Sequence, residues 1–269
     1  MQINKVYHKA ILLFSVATLF FIGCENELPN EVENQGAEER SILSIEKRGS
    51  YSIIPIAKAR IDIQRDYVPD LADNFVTIKG VISTPNLWDP NSGAVHHFIQ
   101  GYSAGIQLFA FPHPEYYPNL TEAPVLNMGD EVVLKGRVVH WKGGTIIRLE
   151  YDGDLQIIGK RTIKKPRKIR AAQLADQVGE RIEGQLVMLE KVRLVEGDQF
   201  PNEGYYGLIR VVDSRGNIAK VFIDEQTDID GSSSPNGWFN LTGVVNQFTE
   251  DNPADNGYQI VPRGLFDID

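Results

Sequence analysis

The chain has one cysteine, Cys24, so it can close no disulfide within itself and its fold must rest on packing. Histidine is nearly as scarce, with five in 269 residues. The adjacent His96 and His97 point to opposite faces of any extended segment and make a poor chelate. The acidic run at 224–231 fails as an EF-hand, because setting Asp228 and Asp230 at loop positions 3 and 5 leaves Gly237 where a bidentate glutamate is needed. A looser calcium site around Asp228 and Asp230 stays open. Neither a glycine-rich phosphate loop nor a nucleophile elbow occurs. The sequence therefore names no catalytic residue, no metal ligand set and no cofactor, and the expectation is a non-enzyme. Helical periodicity is also thin, confined to short turns over 56–61 and 169–178. A formal charge of −9 argues against general attraction to nucleic acid or to anionic lipid surfaces.

What the chain does have is β pattern, and it has it twice. In the first half, segments at 75–83, 97–100, 106–111, 132–139 and 145–149 are rich in β-branched and aromatic residues and are separated by glycine turns. A further run at 155–158 closes the unit. The second half repeats the order: 56–61 matches 169–174, 75–81 matches 186–192, and the hairpin around Gly105 recurs around Gly216. Leu134–Trp141 matches Leu241–Phe248, and 145–149 matches 258–262, with offsets of 107 to 113 residues throughout. This predicts domains at 50–159 and 171–269 with a linker at 160–170.

Five strands in some 110 residues suit an all-β architecture of two tandem OB-like, five-stranded Greek-key barrels. An immunoglobulin-like sandwich, the rival, wants about seven evenly spaced strands. A first strand coiled around such a barrel needs a bend near its middle, and Gly80 is placed for it. Lys191 stands at the matching position of the second unit, where a larger side chain is expected to be tolerated.

The amino terminus has an export pattern. Lys5, His8 and Lys9 precede a 13-residue apolar run from Ala10 to Ile22, too short for a spanning helix. The ending Phe21-Ile22-Gly23-Cys24 resembles a bacterial lipobox, which implies cleavage after residue 23 and acylation of Cys24. Residues 24–49 read as a lipidated, flexible tether with six glutamates from Glu25 to Glu39. The expectation is a protein anchored in the bacterial cell envelope, in the outer membrane, through acylated Cys24, with the acidic tract either a signal for display at the cell surface or a soluble spacer that lifts the folded part off the bilayer.

The segments Val76-Thr-Ile-Lys-Gly-Val-Ile, Phe98-Ile-Gln-Gly-Tyr-Ser-Ala-Gly-Ile and Gly129-Asp-Glu-Val-Val-Leu-Lys-Gly-Arg-Val resemble the OB-fold module beside the catalytic part of a bacterial sugar-nonspecific extracellular nuclease. They are also similar to lipoproteins that carry such modules. The resemblance covers residues 50–269 and implies an OB fold and nucleic-acid binding. It does not imply cleavage, since the nuclease chemistry belongs to other domains. The family carries an aspartate after the glutamine of the Phe-Ile-Gln turn. Gly101 stands there in this chain, and Asp213 lies near the matching turn of the second unit.

Two sets of residues are candidates for recognition. Lys160, Arg161, Lys164, Lys165, Arg167, Lys168 and Arg170 put seven positive charges and no acid into eleven residues. The flanking domains carry excesses of four and ten acidic residues respectively. The strip is either a polyanion contact or a solvated linker that balances its neighbours. Three loops are aromatic: Trp88 lies in the first, Tyr116 and Tyr117 in the second, and Tyr205 and Tyr206 in the third. Phe109 and Phe111 join this set if the aliphatic residues of their strand, Ile106, Leu108 and Ala110, fill the barrel. The partner classes left open are single-stranded nucleic acid or another polyanion, a glycan, and an envelope protein.

Overall fold

The computed structural model describes residues 52–269; Cys24, the export segment and the tether lie outside the described residues. Strand β1 (Ile53–Ile54) and a single turn of helix, α1 (Ile56–Ala59), lead into β2 (Phe75–Ile82), β3 (Val95–Gln100), β4 (Gly105–Ala110), β5 (Asp130–Trp141), β6 (Gly144–Arg148) and β7 (Leu155–Lys160). The second half runs through β8 (Arg167–Ile169), a 3-10 turn over Ala171–Leu174 and another over Gly179–Ile182. After these come β9 (Leu186–Leu194), β10 (Gly207–Asp213), β11 (Ile218–Ile223), β12 (Phe239–Gln247) and β13 (Tyr258–Val261). Among the described residues no helix is long and apolar enough to cross a membrane.

Both halves close into five-strand rings. In the first the order is β2-β3-β4-β6-β5, with β5 pairing back onto β2; in the second it is β9-β10-β11-β13-β12, with β10 and β12 both on β9. All ring pairs are antiparallel except β4 with β6 and β11 with β13. That one parallel contact between the third and fifth strands of each ring is the OB connectivity. Closure also removes the open edges that a sandwich would keep. The short elements before each ring repeat as well: β1 runs parallel to β2, and β8 runs parallel to β9. Strand β7 stays outside the first ring and takes the edge of β5 next to β6. The segment between the domains is thus strand at both ends, since β7 reaches Lys160 and β8 begins at Arg167.

Alternation fills each ring. Ile78, Ile99, Ile106, Leu108, Leu134 and Ile147 are buried in the first core, and Leu189, Val211, Val221, Ile223, Val245 and Ile260 in the second. The bends differ from expectation. A Cβ on Gly80 would stand 2.5 Å from Ile99 Cγ2 and 2.9 Å from the Gln100 carbonyl oxygen, so Gly80 serves close approach between strands. Lys191 bends its strand by another device. Its backbone sits in the left-handed region at φ 52°, opposite a register shift between Phe239 and Leu241, and its N–H donates to Asn240 Oδ1 at 3.1 Å. The expected tolerance at Lys191 is therefore corrected: that backbone suits few residues, whatever room the side chain has. The glycine shared by both rings is Gly136 with its counterpart Gly243, where a Cβ would press within 2.5 Å of Ile147 and Ile260 respectively.

The barrels meet over a third apolar cluster of Leu87, Phe98, Leu186, Val244 and Val261, with Ile163 and Phe222 against it. The backbones touch here. A Cβ on Gly105 would fall 1.8 Å from the Gly184 carbonyl oxygen. The Gln100 side chain donates to that same oxygen at 2.7 Å and accepts from the Leu186 N–H at 3.3 Å. The glutamine of the β3–β4 turn is thus a clamp between barrels. Asp213 takes the matching place, opposite Val192 as Gln100 is opposite Val81, and closes its own turn onto Asn217.

Candidate aromatic face and basic strip

Strand β4 divides its side chains as the alternation requires. Ile106, Leu108 and Ala110 are buried in the core, while Gln107 and Phe109 lie on the outer side and Phe111 continues beyond the strand. Phe109 stands opposite His96 in register. Trp88, from the first aromatic loop, packs edge-on against Phe109 with centroids 5.3 Å apart. Phe109 is followed by Phe111 at 6.5 Å, Phe111 by His113 at 5.5 Å, and His113 by Tyr116 at 4.5 Å. The last step exists because the chain turns back on itself: the Tyr116 and Tyr117 N–H groups both donate to the His113 carbonyl, at 3.2 and 2.7 Å. The result is a row of five rings from two loops and one strand, four of them half-buried and Tyr116 exposed.

The row is backed by polar groups held neutral or satisfied. His96 Nε2 lies 3.0 Å from Gln107 Oε1, and its ring is 5.6 Å from Phe98. Burial first, and then neighbouring His97, push the His96 pKa down to about 4, while the bond to Gln107 opposes them. His97, with Nδ1 3.1 Å from the Thr84 carbonyl oxygen, is also lowered, chiefly by burial. Both rings are neutral near pH 7, and the face behind the row carries no histidine charge.

Of the remaining aromatic candidates, Tyr117 turns inward against the first core, and Arg148 lies over its ring at 5.1 Å. Arg148 and Arg137 share Glu150, whose pKa they lower against the effect of burial. Tyr205 and Tyr206 lie on the second barrel, with Tyr206 packed on Phe222 at 5.8 Å. His113, in the loop after β4, is the ring that joins Phe111 to Tyr116. Its signal was the alternation Phe111, His113 continuing that of the strand.

The basic strip is largely engaged. Lys160 binds Asp130 at 2.6 Å, Arg161 binds Glu131 at 3.2 Å, and Lys168 binds Glu190 at 2.6 Å. Lys164 donates to the Tyr102 carbonyl and lies over that exposed ring at 4.4 Å. Ile163, in the middle, packs into the cluster between the barrels. Lys165, Arg167 and Arg170 have no carboxylate partner among the described residues. Asp228 and Asp230 are occupied as acceptors of the Leu265 and Gly204 N–H groups, and no set of three metal-ligating side chains converges among the described residues.

No family model matches the chain, and no curated protein does. Among solved structures it is similar to an aspartyl-tRNA synthetase from Entamoeba histolytica, at 11% identity over 57% of this chain and 30% of that one, with a TM-score of 0.28. It is also similar to the tetrameric p202 HIN2, at 9% identity over 71% of this chain and 90% of that one, with a TM-score of 0.30. The p204 HINb domain gives 9% identity over 68% and 90%, also with a TM-score of 0.30. The chain spans less than a third of the synthetases it matches. At these scores the fold stands on the strand pairing described above: two closed, all-β barrels of the OB type.

Proposed function

We propose that this protein is a non-catalytic binding protein, held in the bacterial outer membrane through acylated Cys24, that takes a glycan chain along the ring row of its first barrel. The observation that carries this reading is the run from Trp88 through Phe109, Phe111 and His113 to Tyr116, each ring within 6.5 Å of the next. Successive, partly exposed rings offer apolar surface to successive sugar units without needing charge. The pairing of Lys160, Arg161 and Lys168 with Asp130, Glu131 and Glu190 reduces the positive potential that could hold a polyanion. Single-stranded nucleic acid is the second reading. It is favoured by the OB-type fold, by the resemblance to the nuclease module, and by Lys165, Arg167 and Arg170 without acid partners.

The test is binding of the full chain to a glycan array, and to single-stranded DNA at several salt concentrations. Glycan capture should fall about tenfold for Trp88→Ala and for Phe111→Ala, the loss of a single aromatic contact. It should be indifferent to salt. Binding to DNA alone, with log affinity falling steeply as log salt rises and lost in a Lys165→Ala, Arg167→Ala, Arg170→Ala triple variant, would replace the glycan reading with the second.

A further inference from the structure

A cleft of about 540 Å³ opens at the junction of the barrels, between α1 with its following loop, the β3–β4 turn at Ser103 and Ala104, and the second barrel's Gly179–Ile182 turn. Its floor is an ion network. Arg60, with a side chain 7% exposed, donates through Nη2 to Glu183 at 2.5 Å and to Glu180 at 3.2 Å. Its Nη1 also donates to the Glu183 carbonyl oxygen at 2.5 Å. Glu183 further accepts the Thr145 N–H at 3.0 Å, and Glu180 accepts the Tyr258 hydroxyl at 3.2 Å. These acids are committed. So is Asp62 on the wall, whose carboxylate accepts the N–H groups of Arg65, Asp66 and Tyr67 at 2.6, 3.3 and 2.9 Å.

The cations on the rim are not committed. Arg65 and Arg181 both line the cleft, are exposed, and have no carboxylate partner among the described residues. The rim is also held in an unusual backbone state. Arg65 at φ 58°, Tyr67 at φ 66° and Gln177 at φ 64° all line the cleft, and they are half of the six described non-glycine residues with positive φ. Such conformations persist only where surroundings impose them, here the Asp62 cage on one side and the Gln177 N–H to Asp255 carbonyl bond on the other. Packing between barrels needs Arg60, Glu183 and Gly184. It does not need two guanidinium groups without acid partners on the rim of the cleft.

We propose that this junction cleft binds a small ligand bearing an oxyanion, carboxylate or phosphate, gripped by Arg65 and Arg181 against the Tyr67 wall. Guanidinium groups pair with either anion through two parallel hydrogen bonds. The site is separate from the ring row. Ala104 and Phe109 lie five residues apart along the hairpin, roughly 17 Å in extended chain.

Acidity should tune the grip. Burial first, and then the Glu183 carboxylate and Asp62, raise Glu180 to about 7, against Arg60 and the Tyr258 hydroxyl. Below that pH Glu180 is protonated and the cleft presents less negative charge to an incoming anion. Arg60 from α1, Asp62, Arg65 and Tyr67 from the loop, Arg181 and Glu183 beside it, and Tyr258 from β13 are the groups around it.

The experiment is calorimetric titration of the detergent-solubilised full chain with glucuronate, glucose 6-phosphate and neutral glucose. Saturable binding of glucuronate assigns the carboxylate source and binding of the sugar phosphate assigns the phosphate source; glucose should not bind. Arg65→Gln with Arg181→Gln should weaken the anion by tenfold or more and leave the melting temperature of the unliganded protein unchanged. Glucuronate, which keeps one charge throughout, should bind more weakly at pH 8 than at pH 6, and Glu180→Gln should flatten that slope. Trp88→Ala should leave anion binding intact, so failure here is separable from failure of the glycan reading. Failure of both anions to bind saturably, equal binding of glucose, or undiminished binding in the double variant would overturn the proposal.

Discussion

Lys191 and Gly80 occupy the same place in the two rings under different constraints. At Gly80 the limit is space, with Ile99 Cγ2 2.5 Å from where a Cβ would sit. At Lys191 the limit is the backbone, at φ 52°. Gly80→Val should cost about 1–3 kcal/mol by overpacking. Lys191→Val should also cost on the order of 1–2 kcal/mol, because a β-branched residue is strained in the left-handed region. Lys191→Gly should be neutral or stabilising. Urea midpoints decide it, and a Lys191→Val protein as stable as wild type would refute the backbone argument. His96 gives a pH signature at the same scale. Its folded pKa, about 4, lies below the ordinary 6.5. The stability tied to its neutral state is present above pH 6.5 and is lost as pH falls toward 4. On the order of 1–2 kcal/mol should disappear between pH 7 and pH 5, and His96→Gln should recover part of that loss. Identical pH profiles for the two proteins would count against it.

At the scale of elements, what was legible is what alternates. Strands β2 to β6 and β9 to β13 stood out because β-branched runs between glycine turns carry a period of two, and because the second half repeats the first in order. The turns at 56–61 and 169–174 were visible through the same repeat. Strands β1 and β8 were not, since two or three residues carry no period and each is fixed only by parallel pairing to a neighbour. Part of the candidate site was legible too: alternation alone put Phe109 and Phe111 opposite the core set of β4. The join to Tyr116 depended on a turn that folds His113 onto it, and Tyr117, one residue on, faces the core instead. Neither direction is encoded in composition. The charge of the 160–170 strip was plain in the sequence, but its pairing was not, because Asp130, Glu131 and Glu190 come from distant strands. The contact of barrels shows a further limit. Gly105 read as a turn glycine, while its tightest constraint is the Gly184 carbonyl of the other barrel. Gly105→Ala should therefore separate the barrels locally at a cost of about 1–3 kcal/mol. It should raise amide exchange at the Leu186 N–H, which Gln100 holds. A substitution that leaves both stability and that exchange rate unchanged would deny the close contact.

For the whole molecule, the question is what carries it to a surface and keeps it there. The folded part offers little attraction of its own: the chain is acidic at −9, and most of the local cations of the strip are engaged. An anionic bilayer would repel it. On the reading proposed above, membrane residence would depend on the Cys24 segment, whose apolar run ends at Gly23-Cys24. Acyl chains contribute about 0.8 kcal/mol per buried methylene, so two or three of them outweigh any electrostatic term the barrels could add. Cys24→Ser in the exporting bacterium should abolish acylation and move the protein from the membrane pellet to the soluble fraction. A high-salt wash should leave the wild type in the pellet, because its hold is apolar and not ionic. Release of the wild type by salt, or full retention of Cys24→Ser after the wash, would mean that the barrels or a partner protein provide the anchor. The ring row would then have to be reconsidered as a docking face for that partner, a role its half-exposed apolar surface would equally serve.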